Sequence, residues 1–197
     1  STGKRTVESI EVLSSETIRD PNRVHDAAPP SGHVLVYDDD HHLEGGLLAG
    51  HLASLGCSVT LATSAAEASA FSHFTLDQPL IQRELLKKGV SILPHRYIVG
   101  IDREGATLEY KFTGGNEILL ANAIYIVAAK SPNISGFECL LEHQKVLDAG
   151  LKSFRVIGDA RAPGTLADSV HDGYLAGMQI GTGDTSFNQK REMIKLI

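Results

Sequence analysis

His33-Val34-Leu35-Val36-Tyr37-Asp38-Asp39-Asp40-His41-His42-Leu43-Glu44-Gly45-Gly46 opens the regular part of the chain and decides its fold. Val34-Leu35-Val36-Tyr37 is an unbroken apolar run, the pattern of a parallel strand with both faces buried. Behind it Leu47, Leu48, His51, Leu52 and Leu55 recur at helical spacing, and Gly56 stands where a helix stops. Ser58-Val59-Thr60-Leu61-Ala62-Thr63 then reads as a second strand. Strand, helix and strand within about thirty residues predict a βαβ unit with a right-handed crossover.

Downstream, the pattern predicts a helix from about Leu76 to Lys88 with Gly89 as its C-cap, then a short strand over Val90–Leu93. The period changes to alternation over Tyr97–Asp102, Ala106–Phe112 and Glu117–Leu120. Arg103-Glu104-Gly105 and Gly114-Gly115-Asn116 separate these runs, which predicts a three-stranded antiparallel meander. Ala123–Ala128 returns as a buried parallel strand, and Phe154–Asp159 reads as a strand ending in Gly-Asp. Thr165 is placed to cap a helix running to about Ile180, and Gln189–Leu196 can form a short tail helix. Upstream, residues 1–32 read as a connector, with a short strand over Val7–Leu13, a helical turn at Ser14–Glu16 and breakers at Asp20-Pro21-Asn22 and Ala28–Gly32. The expected division is 1–32 connector, 33–133 Rossmann-like domain, 134–181 returning strand and helix, and 182–197 tail.

Composition removes several classes of function. The 197 residues carry 18 Lys and Arg against 24 Asp and Glu, with no basic stripe, which argues against a nucleic-acid surface. No apolar run reaches the roughly 20 residues that span a bilayer. Ser1–Arg5 has no apolar stretch behind it and does not read as a signal peptide. The two cysteines, Cys57 and Cys139, form no C-x-x-C pair; they read as small buried hydrophobes in a reducing, cytoplasmic compartment. An iron–sulfur cluster needs four thiolates, so this chain alone holds none. His51, His73, His95, His143 and His171 are scattered, no Ser-His-Asp or Cys-His spacing emerges, and no catalytic residue is assigned.

A dinucleotide fold needs G-x-G-x-x-G between the first strand and helix, so that bare backbone can approach the pyrophosphate at the helix N-terminus. The third glycine lies about eleven residues before the helix-ending glycine, and counting back from Gly56 lands on Gly45. The first two glycine positions are then Asp40 and His42. Only the packing glycine survives, side chains fill the phosphate space, and Asp38, Asp39, Asp40 and Glu44 bring negative charge to it. The second strand ends in Thr63-Ser64, with no acid for a ribose 2′-hydroxyl. No NAD(P) is expected at this loop. The Asp-Asp-Asp-His-His run reads as carboxylates capping the following helix, with metal ligation as the sharper alternative.

Val34–His42 with Gly45-Gly46 resembles the small domain of the trimethylamine, dimethylamine and histamine dehydrogenase family, within the FMN and iron–sulfur NADH:flavin oxidoreductase superfamily. Val127-Ala128-Ala129-Lys130-Ser131-Pro132-Asn133 resembles the A-T-G-x-x-P-N turn of disulfide-reductase-like flavoproteins. Ile157-Gly158-Asp159-Ala160-Arg161-Ala162-Pro163-Gly164-Thr165, followed by Ala167, Val170 and Gly173, completes the likeness, which covers roughly residues 8–180.

The resemblance implies an α/β, Rossmann-like three-layer domain of the glutathione-reductase NADPH-domain type. A central parallel sheet and an antiparallel meander would be joined by the returning strand and helix of a host FAD/ADP-type domain. It implies a longer parent, in which electrons pass from an amine through FMN and a 4Fe-4S cluster in a (β/α)8 barrel to an external acceptor. The host domain of such a parent holds ADP or FAD. By the same resemblance Gly158, Asp159 and Thr165 face that nucleotide, as an incomplete site here. The leading expectation is a non-catalytic domain of an amine dehydrogenase or N-demethylase. An NAD(P)H-binding domain of a dienoyl-CoA-reductase-like enzyme and a standalone interaction module are the alternatives. The implied partners are the barrel and host domain of the parent, with homo-oligomerisation left open.

Overall fold

The computed structural model describes residues 4–5, 10–26, 28–142 and 155–180. The tail helix expected over Gln189–Leu196, the rest of the 182–197 tail, His143, Phe154 and the start of the strand expected at Val7 lie outside the described residues. The chain divides into two compact units, residues 5–129 and residues 130–197 with 1–4.

After β1 (Lys4–Arg5), the first unit runs β2 (Glu11–Val12), β3 (Ile18–Arg19), β4 (His33–Asp38), α1 (Leu43–Ser54), β5 (Ser58–Thr63), α2 (Gln78–Lys87) and β6 (Ser91–Leu93). It continues with β7 (Arg96–Ile101), β8 (Gly105–Tyr110), β9 (Asn116–Leu120) and β10 (Ala123–Val127). Five strands form a parallel sheet in the order β3-β10-β4-β5-β6. The expected meander, β7-β8-β9, pairs antiparallel and gains β2 as a parallel fourth strand.

Side-chain alternation along β4 shows why three layers form. Val34 and Val36 pack with Leu48 and Leu52 of α1 and Leu85 of α2, whereas Leu35 and Tyr37 pack with Ile98, Ile101 and Leu108 of the mixed sheet. Both faces of the central strand are therefore dry, as the unbroken apolar run requires. Leu35, Leu52, Leu61 and Leu108 are fully buried, each a gain of about 1.5–3 kcal/mol of transfer free energy. The α/β, Rossmann-like three-layer class stands.

Three local expectations need correction. The second helix begins at Gln78 rather than Leu76, because Leu76 is left-handed (φ 64°) and closes a 3-10 turn over Ala70–Thr75. In the amino-terminal arm the described part of the expected strand forms a strand only at Glu11–Val12, without Ile10 and Leu13, and no helical turn forms at Ser14–Glu16. The helical turn falls instead at Pro21–Arg23, where the Asp20 carboxylate accepts from Asn22 N at 2.9 Å. The segment read as a connector thus supplies an edge strand to each sheet of the first unit.

The second unit contains β11 (Lys130–Ser131), α3 (Ser135–Glu142) and α4 (Leu166–Met178). The expected strand at 154–159 is absent among the described residues: 155–157 belongs to no strand, and Gly158–Ala160 is a 3-10 turn. Extended backbone becomes a strand only when a neighbour completes its hydrogen-bond ladder, and none does so here.

Candidate functional site

In an open α/β sheet a nucleotide lies outside the carboxyl ends of the strands, where the strand order reverses. That point is the gap between β4 and β10, since β5 and β6 follow β4 on one side and β10 returns on the other. The residues leaving β4 close this gap. Asp39 N and Asp40 N both donate to the Val127 carbonyl at the end of β10, at 2.8 and 3.1 Å. Two main-chain donors at the switch point are therefore already committed.

Asp38 turns inward. Its side chain is fully buried and accepts from His41 N at 3.0 Å and Ser69 N at 3.1 Å. Burial pushes its carboxyl up to about 6, aided by the charges of Asp40 and Asp39 and opposed by the two backbone donors. Gly45 sits directly against it: a Cβ there would lie 2.5 Å from Asp38 Cγ. The surviving glycine of the phosphate motif thus makes room for a carboxylate. The expectation that the aspartates cap α1 is corrected. The N-cap position falls on His42, whose side chain makes no capping bond, and Asp38 serves the loops at 41 and 69 instead.

His41 was not singled out by sequence reasoning, yet it fills the end of β5. Its backbone is left-handed (φ 60°), uncommon for a residue with a Cβ. Its Nδ1 lies 3.2 Å from Thr63 Oγ1 and its Nε2 3.2 Å from Ser64 Oγ. The His41 carbonyl accepts from Phe71 N at 2.8 Å, and the Phe71 ring stands edge-on to it. Burial holds the imidazole below its ordinary pKa, so the neutral ring is favoured. The second strand of a dinucleotide fold ends where the ribose is held, and here an imidazole occupies that place. Asp40, His42 and Gly45 are therefore brought to the expected loop, but the side chains that close it are Asp38 and His41. Among the described residues no three His, Cys, Asp or Glu side chains converge as a metal site.

The second unit carries the other expected residues. Gly158 is left-handed (φ 60°), and Asp159 Oδ1 accepts from Ser169 Oγ at 2.8 Å and Gly164 N at 3.4 Å. Thr165 caps α4 in a reciprocal box with Asp168. Asp172, which sequence reasoning passed over, ties the turn to the helix. It accepts from Gly158 N at 2.7 Å and grips Arg161 through two bonds at 2.8 and 3.1 Å. The Arg161 guanidinium and the Gly158 N–H hold its carboxyl below the usual range. No spacing rule announces such a partner eleven residues along the chain from Arg161.

The first unit is thus a three-layer α/β domain with a closed switch point, and the second carries a Gly-Asp turn and a capped helix. Among solved structures, the chain is similar to histamine dehydrogenase from Rhizobium sp. 4-9, with a TM-score of 0.87 and 27% identity over 95% of this chain and 31% of that one. It is similar also to 6-hydroxypseudooxynicotine amine oxidase from Pseudomonas geniculata N1 (TM-score 0.78, 25% identity, 92% of this chain and 28% of that one). A 2-naphthoyl-CoA reductase shares the fold at 16% identity, with a TM-score of 0.71 over 91% of this chain and 26% of that one. No protein-family model and no curated protein matches the sequence. The resemblance to the trimethylamine, dimethylamine and histamine dehydrogenase family therefore holds in three dimensions, and the chain spans about a third of the solved relatives it matches.

Proposed function

We propose that the chain is a non-catalytic domain of a flavin- and iron–sulfur-dependent amine dehydrogenase or N-demethylase, and that it no longer binds NAD(P) at its own loop. The observation that carries this reading is the closure of the switch point: the donors of residues 39 and 40 are spent on Val127, and the His41 ring fills the end of β5. A nicotinamide dinucleotide does not fit that arrangement without breaking it. An iron–sulfur cluster does not fit either, since the chain has only two cysteines.

For ADP or FAD the fit is partial. The left-handed Gly158 turn and the start of α4 offer one edge of a nucleotide site, with Asp159 turned toward Ser169. FMN and the cluster belong, in this reading, to a barrel elsewhere in a longer parent, which supplies an external acceptor with electrons. The barrel and host domain are the proposed partners, and the cytoplasm the proposed compartment. No helix among the described residues is long and apolar enough to cross a membrane.

Calorimetric titration of the purified chain with NADH and NADPH tests the reading. Binding weaker than about 1 mM, or roughly −4 kcal/mol, is expected. Saturable micromolar binding that shifts the amides of residues 38–45 would overturn it and favour an NADH:flavin oxidoreductase domain with an altered binding mode. The coding sequence upstream of Ser1 separates both from a standalone interaction module: a barrel-length open frame supports a domain of a larger enzyme, and its absence removes one.

A further inference from the structure

The helical layer over the parallel sheet of the first unit is uneven. Helix α1 packs on β4 and β5, and α2 packs on α1. Over β10 and β3 the same face is met by the turn at Pro21–Arg23 and by Val24, which packs against the core. A cavity of about 570 Å³ lies there, bordered by Arg19, Val24, Pro30 and Tyr125.

Arg19 and Tyr125 are direct cross-strand partners in the β3–β10 ladder, so their side chains leave the same face as neighbours. Tyr125 is only 5% exposed as a residue and lines the cavity, and no hydrogen bond to its hydroxyl is found among the described residues. The hydroxyl is not one of the buried polar atoms that lack a partner, so it opens to the cavity and is available to donate. Burial raises its pKa against the pull of Arg19, which keeps the hydroxyl a proton donor. Arg19 commits Nη1 to the carbonyls of Glu16 and Ile18, which leaves Nε and Nη2 for another acceptor. Asp20, Arg23 and Asp26 line the cavity as well; Asp20 accepts from Asn22, and Asp26 pairs with Arg23 at 3.1 Å.

We propose that this cavity binds a small organic anion, its carboxylate or phosphate head held between the Arg19 guanidinium and the Tyr125 hydroxyl and its apolar part lying against Val24 and Pro30. The donors suit either head group, and the walls select for a molecule that carries a hydrophobic portion. This site is separate from the closed nucleotide loop and does not rest on the amine-dehydrogenase reading.

Amide and side-chain NMR of the 197-residue chain, titrated with benzoate and with inorganic phosphate, tests it. Saturable shifts at Arg19, Val24 and Tyr125 are expected, with benzoate binding more tightly than phosphate because only benzoate uses the apolar wall. Tyr125→Phe should weaken benzoate about tenfold, as loss of a hydrogen bond to a charged group does. Its urea midpoint should stay unchanged, because the hydroxyl serves no protein partner. Arg19→Gln should weaken both probes by more than tenfold. No saturable shift with either probe, or wild-type affinity in both variants, sinks the proposal. A lowered urea midpoint for Tyr125→Phe would also overturn it, by showing that the hydroxyl is satisfied within the fold.

Discussion

Two glycine turns in this chain have opposite surroundings. Around Gly45 the protein has filled its own site: the Asp38 carboxyl presses on the glycine and the His41 ring closes the neighbouring strand end. Around Gly158 the turn is well ordered by Asp172 and Arg161, but the helix that follows buries nothing. Leu166, Val170, Tyr174 and Met178 recur every fourth residue along α4, each more than half exposed. An apolar stripe of this kind marks a surface made to be covered. The first unit is finished internally, and the described part of the second carries order without a buried side chain.

The largest expected effect lies in the core of the first unit. Leu61→Ala removes a fully buried side chain between α1 and the sheet and should cost about 3 kcal/mol in urea unfolding. Leu166→Ala, at a position 81% exposed, should stay within about 0.5 kcal/mol. Equal losses at the two positions would erase the contrast between the units.

Next comes the filled loop. Gly45→Ala puts a methyl 2.5 Å from Asp38 Cγ, and overpacking of this kind costs about 2 kcal/mol. Asp38→Ala in the same chain should recover part of that loss, since it removes the atoms struck. Strict additivity of the two changes would show that they do not meet.

A further effect follows from titration. The folded pKa of Asp38 stands above its ordinary value, at about 6 against 3.8. The native state therefore binds the proton more tightly, and stability falls as pH rises from about 4 to 6 and is level above that. A rise of that size corresponds to a loss on the order of 3 kcal/mol. His33 and His41, both lowered by burial, work in the opposite direction as pH approaches 6.5. The difference between wild type and Asp38→Asn isolates the carboxyl; a flat difference across that window would refute its burial in ionisable form. The smallest expected effect is Val170→Asp on the exposed stripe, under about 0.5 kcal/mol in thermal unfolding of this chain.

Much of this arrangement is legible in the sequence, because the deciding signals are local. The run Val34–Tyr37 betrays a strand dry on both faces, and Gly105 and the Gly114-Gly115 pair mark the meander. The missing glycines at Asp40 and His42 likewise tell that the phosphate loop has changed. What replaces it is set by distance in space. His41 meets Thr63 and Ser64 across the crossover, and Asp38 reaches Ser69, thirty-one residues away. Asp172 folds back on Gly158 from the second turn of a helix, and no periodicity encodes that contact. The strand expected before Gly158 failed for the converse reason, since its residues suit extension but its ladder partner is not among the described chain.

The amino-terminal arm has a consequence of its own. By lending β2 to β7 and β3 to β10, one short stretch covers two positions on one edge of each sheet. Clipping it would leave two bare rows of amides and carbonyls on an otherwise intact body, each able to capture a strand from another molecule. Loss of the arm should therefore show as association between chains before it shows as unfolding.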